Sequence, residues 1–448
     1  MSGAQATRLG RMFRGSLALP RRLVRRPARA LAIVGLLAVI GLGCGIAGAY
    51  LWADYHVRAA RAELDRYHTS KAIEHLKASL RVWPHDAETL ILAARASRRA
   101  GAFDEAARCL ERCPPSHGKM EADLVLERAL LRMERGELDG ANRVRDDALK
   151  RGDPALSLVL EAWAKGCLRM YRPLEAEEAV KLWLERQPDN PQALDIRGQI
   201  RERQQMPDDA IECYRLALAA DAELDEVRRH LCAALMQENE FDEARPHLEF
   251  LNRRTAGDAV VKVHLARVHA RMGQTKEAES LLEEALALRP EFAPALAERG
   301  KLALQDGRTG EAEQWLRRAV ALEPGDLPAR YQLALCLERS DKNDEARQEQ
   351  ARLRALEADA QRLQEISTVK MQQDPHNADL HYQAGIIALR VGNSAEGLRW
   401  LHSALRENPD HQETHNELMK YYQSIRDFQK AREHRAKLRN PNKIEPRS

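Results

Sequence analysis

Residues 296–324 read LAERGKLALQDGRTGEAEQWLRRAVALEP. Leu296, Gly300 and Ala303 recur at spacings of four and three, so they line one face of a helix. Gly307 interrupts that helix, and Ala312, Leu316 and Ala319 resume the same spacing before Pro324 ends it. Small residues on both stretches let two helix backbones approach closely, while leucines fill the remaining space. The segment is therefore expected to be a helix–turn–helix hairpin.

The hairpin repeats outward in both directions. A small residue recurs at Ala72, Ala106, Ala141, Ala176, Ala210, Ala244, Ala278, Ala312, Ala346, Gly397 and Ala431. The successive steps along the chain run 34, 35, 35, 34, 34, 34, 34, 34, 51 and 34. Twelve residues earlier lies a second small residue in most units, and five residues earlier there is often a glycine (Gly101, Gly136, Gly273, Gly307, Gly392). Twelve residues later comes Pro84, Pro188, Pro290, Pro324 or Pro409. Units begin near 53, 87, 122, 157, 191, 225, 259, 293, 327, 378 and 412. Units depart singly: Cys232 stands at a small position of the sixth, and the third, sixth, ninth and eleventh lack the proline.

This pattern resembles the tetratricopeptide repeat over residues 53–440. The resemblance implies an all-α fold, a right-handed superhelical solenoid of about eleven helix-turn-helix units, and a concave wall that binds protein or peptide partners. It also implies small-residue packing at Ala72 and its counterparts, with Ala278 against Ala266 and Ala312 against Gly300. Glu313, next to Ala312, is expected to be solvated.

The step from Ala346 to Gly397 is one period plus 17. Residues 344–373 contain neither Gly nor Pro, which predicts one long helix with Leu353, Leu356, Ala360, Leu363 and Ile366 as a narrow apolar stripe. Such a helix either leans on its own solenoid or projects as an arm for self-association. The domain reading is a leader at 1–29, a membrane helix at 30–53, a repeat array at 54–345, the long helix at 344–373, two further repeats at 378–440 and a tail at 441–448.

Composition agrees with helix and limits function. Aromatics are 5% and charged residues 31%, with 71 Lys plus Arg against 68 Asp plus Glu. Eight of the arginines (Arg8, Arg11, Arg14, Arg21, Arg22, Arg25, Arg26, Arg29) precede residue 54 with no acid among them, leaving 63 basic against 68 acidic residues beyond. A net-acidic body speaks against nucleic acid as partner.

Residues 30–53, ALAIVGLLAVIGLGCGIAGAYLWA, carry no charge over 24 positions, about 36 Å of helix and enough to cross a bilayer. The arginine excess on the near side places the N-terminus in the cytoplasm and the body outside it, as in a bacterial inner-membrane protein facing the periplasm. Cleavage after Ala49, or use of the leader as a mitochondrial presequence, is the alternative. Gly41, Gly45 and Ala49 are spaced for pairing two such helices, or simply dilute a lipid-facing one.

Chemistry is sparse. There is no phosphate-loop or serine-elbow motif, and neither cofactor nor metal is expected. His411-Gln-Glu-Thr-His415 has its Glu one place too late for a zinc helix and reads as surface histidines. The seven cysteines have no disulfide spacing and read as buried thiols, apart from Cys44 in the membrane segment. No unit carries the Lys and Asn pair with which this family clamps a terminal carboxylate. First helices instead bear Arg95, Arg98, Lys165, Arg169, Arg203, Arg229, Arg267, Arg271 and Lys301, a scatter of cations suited to an anionic peptide or polymer unless Glu161, Asp195, Glu202 and Glu226 neutralise them. The expected function is a membrane-anchored, non-enzymatic interaction scaffold. The alternative is an accessory subunit of an envelope polysaccharide or secretion machine.

Overall fold

A computed structural model describes residues 27–438 apart from 116, 139 and 152–154, with side chains described from residue 36 except at 38, 142, 151 and 372. The arginines from Arg8 to Arg26 and the tail 441–448 lie outside the described residues. Every element described is helical. In chain order the pairs are α1 (Pro27–Asp65) with α2 (Thr69–Leu80), α3 (Ala87–Arg99) with α4 (Phe103–Glu111), and α5 (Lys119–Glu134) with α6 (Ala141–Arg151). There follow α7 (Leu156–Arg169) with α8 (Pro173–Arg186), α9 (Pro191–Arg203) with α10 (Pro207–Ala220), and α11 (Asp225–Gln237) with α12 (Phe241–Arg254). Next are α13 (Ala259–Arg271) with α14 (Thr275–Leu288), α15 (Ala293–Gln305) with α16 (Thr309–Leu322), and α17 (Leu327–Arg339) with α18 (Asn343–Glu365). After α19 (Met371–Gln373) come α20 (Ala378–Arg390) with α21 (Ser394–Glu407), and α22 (Gln412–Ser424) with α23 (Phe428–Ala436). The chain divides into two compact units, 1–127 and 128–448.

The turn between paired helices has one recurring feature. The fifteenth residue of each repeat adopts a left-handed backbone. Gly101, Gly136, Gly273, Gly307 and Gly392 take it without a Cβ penalty. The other repeats place Tyr67, Tyr171, Gln205, Asn239, Asp341 and Arg426 there, with φ between 58° and 64°. The conformation closes the first helix: the Arg308 amide donates to the Ala303 carbonyl at 2.8 Å and the Lys342 amide to Leu337 at 3.0 Å. At the other end, Asp86, Asn190, Asp258, Asp326 and Asn377 cap α3, α9, α13, α17 and α20 by accepting backbone N–H groups.

The small residues are buried: Ala106, Ala176, Ala210, Ala244, Ala278 and Ala312 are fully covered. A Cβ built on Gly300 would stand 2.6 Å from Leu316 Cγ and 3.3 Å from the Ala312 carbonyl, so Gly300 and Ala312 mark a close crossing of α15 and α16. Gly385 and Gly397 do the same for α20 and α21. Glu313 departs from its expectation. Its side chain is 14% exposed and binds Lys342 of the next repeat at 2.7 Å as well as Arg317 at 2.9 Å.

The expected long helix is not uniform. α18 passes at Ile366–Lys370 through a π-helical turn before α19. Ile366 and Met371 are both buried beside Ala384, Ile387 and Trp400. Five residues on a regular α-helix would point them about 140° apart, and the wider turn brings both inward. Leu363 joins that cluster, whereas Leu353 and Leu356 are half-exposed.

The expectation about the two histidines needs correction. His411 and His415 are 6% and 5% exposed, not surface residues. His411 precedes α22 and accepts the Thr414 amide, while His415 lies within α22 against the Pro409 carbonyl at 2.9 Å. The cysteines are free thiols. Cys109, Cys167, Cys213, Cys232 and Cys336 are buried, Cys113 is half-buried and Cys44 is exposed.

In the first compact unit, α1 runs without a break from the uncharged segment into the first repeat. Ala53, Val57, Ala60 and Leu64 are buried, whereas Leu36, Leu37, Val39, Ile40, Leu42, Ile46 and Leu51 are exposed. Gly41 and Gly45 face open space. Among the described residues, no helix is long and apolar enough to cross a membrane. Segment 30–53 begins among residues whose side chains are outside that description.

Candidate functional site

The cations on the first helices fall into three groups, according to what the neighbouring repeat offers them. In the first compact unit, Arg98 and Arg95 of α3 grip Glu127 of α5 at 2.6 and 3.0 Å. Arg98 and Glu127 are both buried. Burial pushes the Glu127 carboxyl up, but the two guanidinium groups outweigh it and hold the group below the usual carboxylate range. Arg98 is thus packing between repeats and is not available to a ligand. In the second compact unit Lys165 binds the buried Glu161 at 2.9 Å. Arg229 binds Glu226 at 2.9 Å and Asp258 of the next repeat at 3.3 Å. Arg267 at 2.6 Å and Lys301 at 3.4 Å share Glu298. These cations are engaged across or within repeats.

A second group stands at the thirteenth place of the repeat, where the first helix ends. Arg169 donates Nε to the Glu134 carbonyl at 2.8 Å, and Arg339 donates to the Leu304 carbonyl at 3.1 Å. In the first compact unit Arg99 does the same to Leu64 at 2.6 Å. Each arginine donates to a carbonyl in the last turn of the preceding first helix, where the helix dipole also favours a cation.

Arg203 and Arg271 occupy that same thirteenth place and form the third group. Arg203 lies 5.4 Å over the ring of Tyr171, and Arg271 lies 5.1 Å over Phe241. Both are exposed, and among the described residues neither forms an ion pair with a carboxylate. Tyr331, on the first helix of the ninth repeat, is 54% exposed.

Among the carboxylates expected to neutralise the cations, Asp195 instead accepts from His230 of the next repeat at 2.7 Å and from Gln199 at 2.9 Å. Burial raises the pKa of the neighbouring Glu202. Sequence reading missed Arg399, on the second helix of the tenth repeat. It is exposed, and its charge acts on the Tyr171 hydroxyl. Nothing in its own repeat signals a neighbour so distant along the chain. Among the described residues, no group of three or more His, Cys, Asp or Glu could hold a metal ion.

Stacked helix pairs, each with a period of about 34 residues, define an α-helical repeat protein. Tetratricopeptide-repeat models match residues 57–113, 264–327 and 303–368. The chain carries tetratricopeptide repeats, a fold that generally mediates protein–protein interaction. No curated protein matches it. Among solved structures it is similar to YrrB, described as a TPR protein with an unusual peptide-binding site, at 24% identity over 46% of this chain and 96% of that one, TM-score 0.27. It is also similar to a tetratricopeptide repeat protein from Parabacteroides merdae, at 16% identity over 64% and 99%, TM-score 0.33. The human IFIT1 dimer with m7Gppp-AAAA matches at 15% identity over 80% and 91%, TM-score 0.41.

Proposed function

We propose that this protein is a membrane-anchored scaffold that holds protein partners on the first-helix side of its repeats. The observation that carries the binding side is the contrast among the cations. Seven of the nine singled out by sequence are engaged with carboxylates or backbone carbonyls, while Arg203 and Arg271 stand exposed and, among the described residues, without a carboxylate partner. A guanidinium stacked on an aromatic ring keeps its donor edge free for a carboxylate or a backbone carbonyl. The binding side is proposed for a protein partner because repeat arrays of this kind act by presenting such positions in register.

Membrane anchoring is supported by the uncharged run at 30–53 and by the exposed leucines, isoleucines and valine of α1 from Leu36 to Leu51. Exposed apolar side chains in that number have a natural solvent in lipid. The eight leader arginines orient the body away from the cytoplasm. Anchoring would raise the effective concentration of whatever the repeats recruit. A role in an envelope polysaccharide or secretion machine remains the second reading of the same anchored architecture.

Alkaline carbonate extraction of membranes, combined with a reporter fused after Ser448, tests the anchor and its orientation. Retention in the pellet with a reporter active outside the cytoplasm is expected. Release into the supernatant, or a reporter active only in the cytoplasm, contradicts the proposal.

A further inference from the structure

Tyr171 sits at the left-handed turn between α7 and α8, with φ at 58°. A bulky residue rarely takes that conformation, and three contacts hold it there. Its ring stacks on Trp400 of α21, with centroids 3.2 Å apart and planes 13° apart. Its hydroxyl donates to Glu396 at 3.1 Å, and the charge of the exposed Arg399, three residues beyond Glu396 on α21, acts on the same hydroxyl. Arg203 of α9 covers the ring. The fourth, fifth and tenth repeats thus meet at one tyrosine, within the second compact unit.

The charge at this junction is unbalanced. Glu396 accepts from the tyrosine hydroxyl and from Asn393 and keeps its single negative charge, and Arg203 and Arg399 form no ion pair with a carboxylate among the described residues. Behind them, burial lowers the pKa of Arg169, and the nearby charges of Arg399 and Arg203 lower it further. Two exposed guanidinium groups, one of them laid over the Tyr171 ring, present donor forks that match a carboxylate's two oxygens.

We infer that Arg203 and Arg399, set around the Tyr171–Trp400 stack, form a binding site for the carboxylates of an acidic segment of a partner protein. The inference rests on the scaffold reading above and names the partner chemistry for one part of its surface. Sequence alone hid the site, because Arg203 and Arg399 lie in repeats that are not neighbours along the chain. Arg271 lies over a different ring, Phe241, and is not part of this site.

The test uses the full-length chain in detergent micelles and a fluorescein-labelled octaglutamate peptide, read by fluorescence anisotropy. Saturable binding that weakens with salt is expected. Arg203→Glu/Arg399→Glu should weaken it by about tenfold or more, and Arg354→Glu, on the exposed face of α18, by less than about twofold. Arg203→Lys/Arg399→Lys keeps the charge but loses the forks, and an intermediate loss is expected with an unchanged helical circular dichroism spectrum. Failure of the wild-type chain to bind octaglutamate, or equal binding by the Arg203→Glu/Arg399→Glu chain, overturns the inference. Tighter binding of a phosphoserine peptide of equal charge, lost in the same variant, overturns the carboxylate assignment in favour of phosphate. Proteins crosslinked to the wild-type chain in membranes separate the two readings. Partners captured without octaglutamate binding leave the scaffold standing and this site refuted, whereas no captured partner refutes the scaffold itself.

Discussion

His415 and His434 face each other nitrogen to nitrogen, with Nδ1 atoms 3.0 Å apart between the two helices of the last repeat. The same spacing along the chain separates His56 and His75 in the first repeat, whose Nδ1 atoms are 2.8 Å apart. Other repeats fill the same two places differently. Arg228 meets His247 at 2.8 Å in the sixth, and Arg330 pairs with Glu349 in the ninth. The bond between two imidazoles needs one nitrogen without a proton, so it is lost when both rings are charged.

Acid should therefore loosen the first and last repeats. Burial, followed by the partner histidine, lowers the pKa of His56 and of His434. A histidine with a lowered folded pKa binds fewer protons folded than unfolded, so its contribution is complete above the ordinary value of about 6.5 and is lost as pH falls through the folded value. Around His434, Glu433 opposes the shift, while the neighbouring His402, pushed down to about 4 by burial and then by His434, Arg406 and Lys430, stays uncharged at pH 5. Hydrogen exchange at pH 7.5 and 5, corrected for intrinsic rates, should show α22 and α23 losing protection. His434→Phe, which can keep the stack on Tyr422, should flatten that difference. Equal loss in the variant would remove the histidine pair as the cause.

Glu127 gives a second test, in the first compact unit. Glu127→Ala leaves Arg98 buried without its carboxylate, and breaking a buried pair from one side costs about 3–5 kcal/mol. Arg271→Ala, at an exposed position, should cost under about 0.5 kcal/mol. Urea midpoints of the two variants measure this. Similar small shifts in both would mean that the Arg98–Glu127 pair does not join the second and third repeats.

Close packing between paired helices predicts a third contrast. Ala312→Leu forces extra carbons into the crossing of α15 and α16 and should cost about 1–3 kcal/mol. The exposed neighbour Gln314, replaced by Leu, should be near neutral. Glu313→Leu is no longer a neutral control, because Glu313 bridges to Lys342. Hydrogen exchange should place the Ala312→Leu damage around residues 259–345, with α3 and α4 unaffected. Loss spread evenly over the chain would contradict repeat-by-repeat packing.

The left-handed turn residues allow a gain of stability to be sought. Gln205 carries a φ of 61° and a Cβ that this conformation penalises, so Gln205→Gly should raise stability by about 1 kcal/mol. Gly307→Ala should lower it by a similar amount. Thermal melts of the pair check the signs, and a destabilised Gln205→Gly would contradict the turn geometry.

Much of the fold was legible because it is local and periodic. The spacing Gly300, Ala303, Gly307, Ala312 specifies a hairpin within a single repeat, and its recurrence specifies stacking. Tyr171, Gln205 and Arg426 concealed the turn rule, since nothing in their chemistry announces a left-handed backbone. The π-helical turn at Ile366 was hidden because its cause is the distant Trp400 cluster. The cations were legible as side chains but not as a site. Whether Arg267 or Arg203 stands exposed depends on Glu298 or Tyr171 in the adjacent repeat, and no pattern within one repeat reports on its neighbour's side chains.

Site-specific photocrosslinking in intact membranes reports which face of the repeats meets a partner. A photoreactive residue at 203 or 271 samples the exposed first-helix positions, and one at 347 or 354 samples the exposed surface of α18. Discrete protein adducts from 203 and 271, with few or none from 347 and 354, are the expected result. Adducts that are absent at 203 and 271, or equally frequent at all four positions, would contradict a scaffold that binds its partners on the first-helix side.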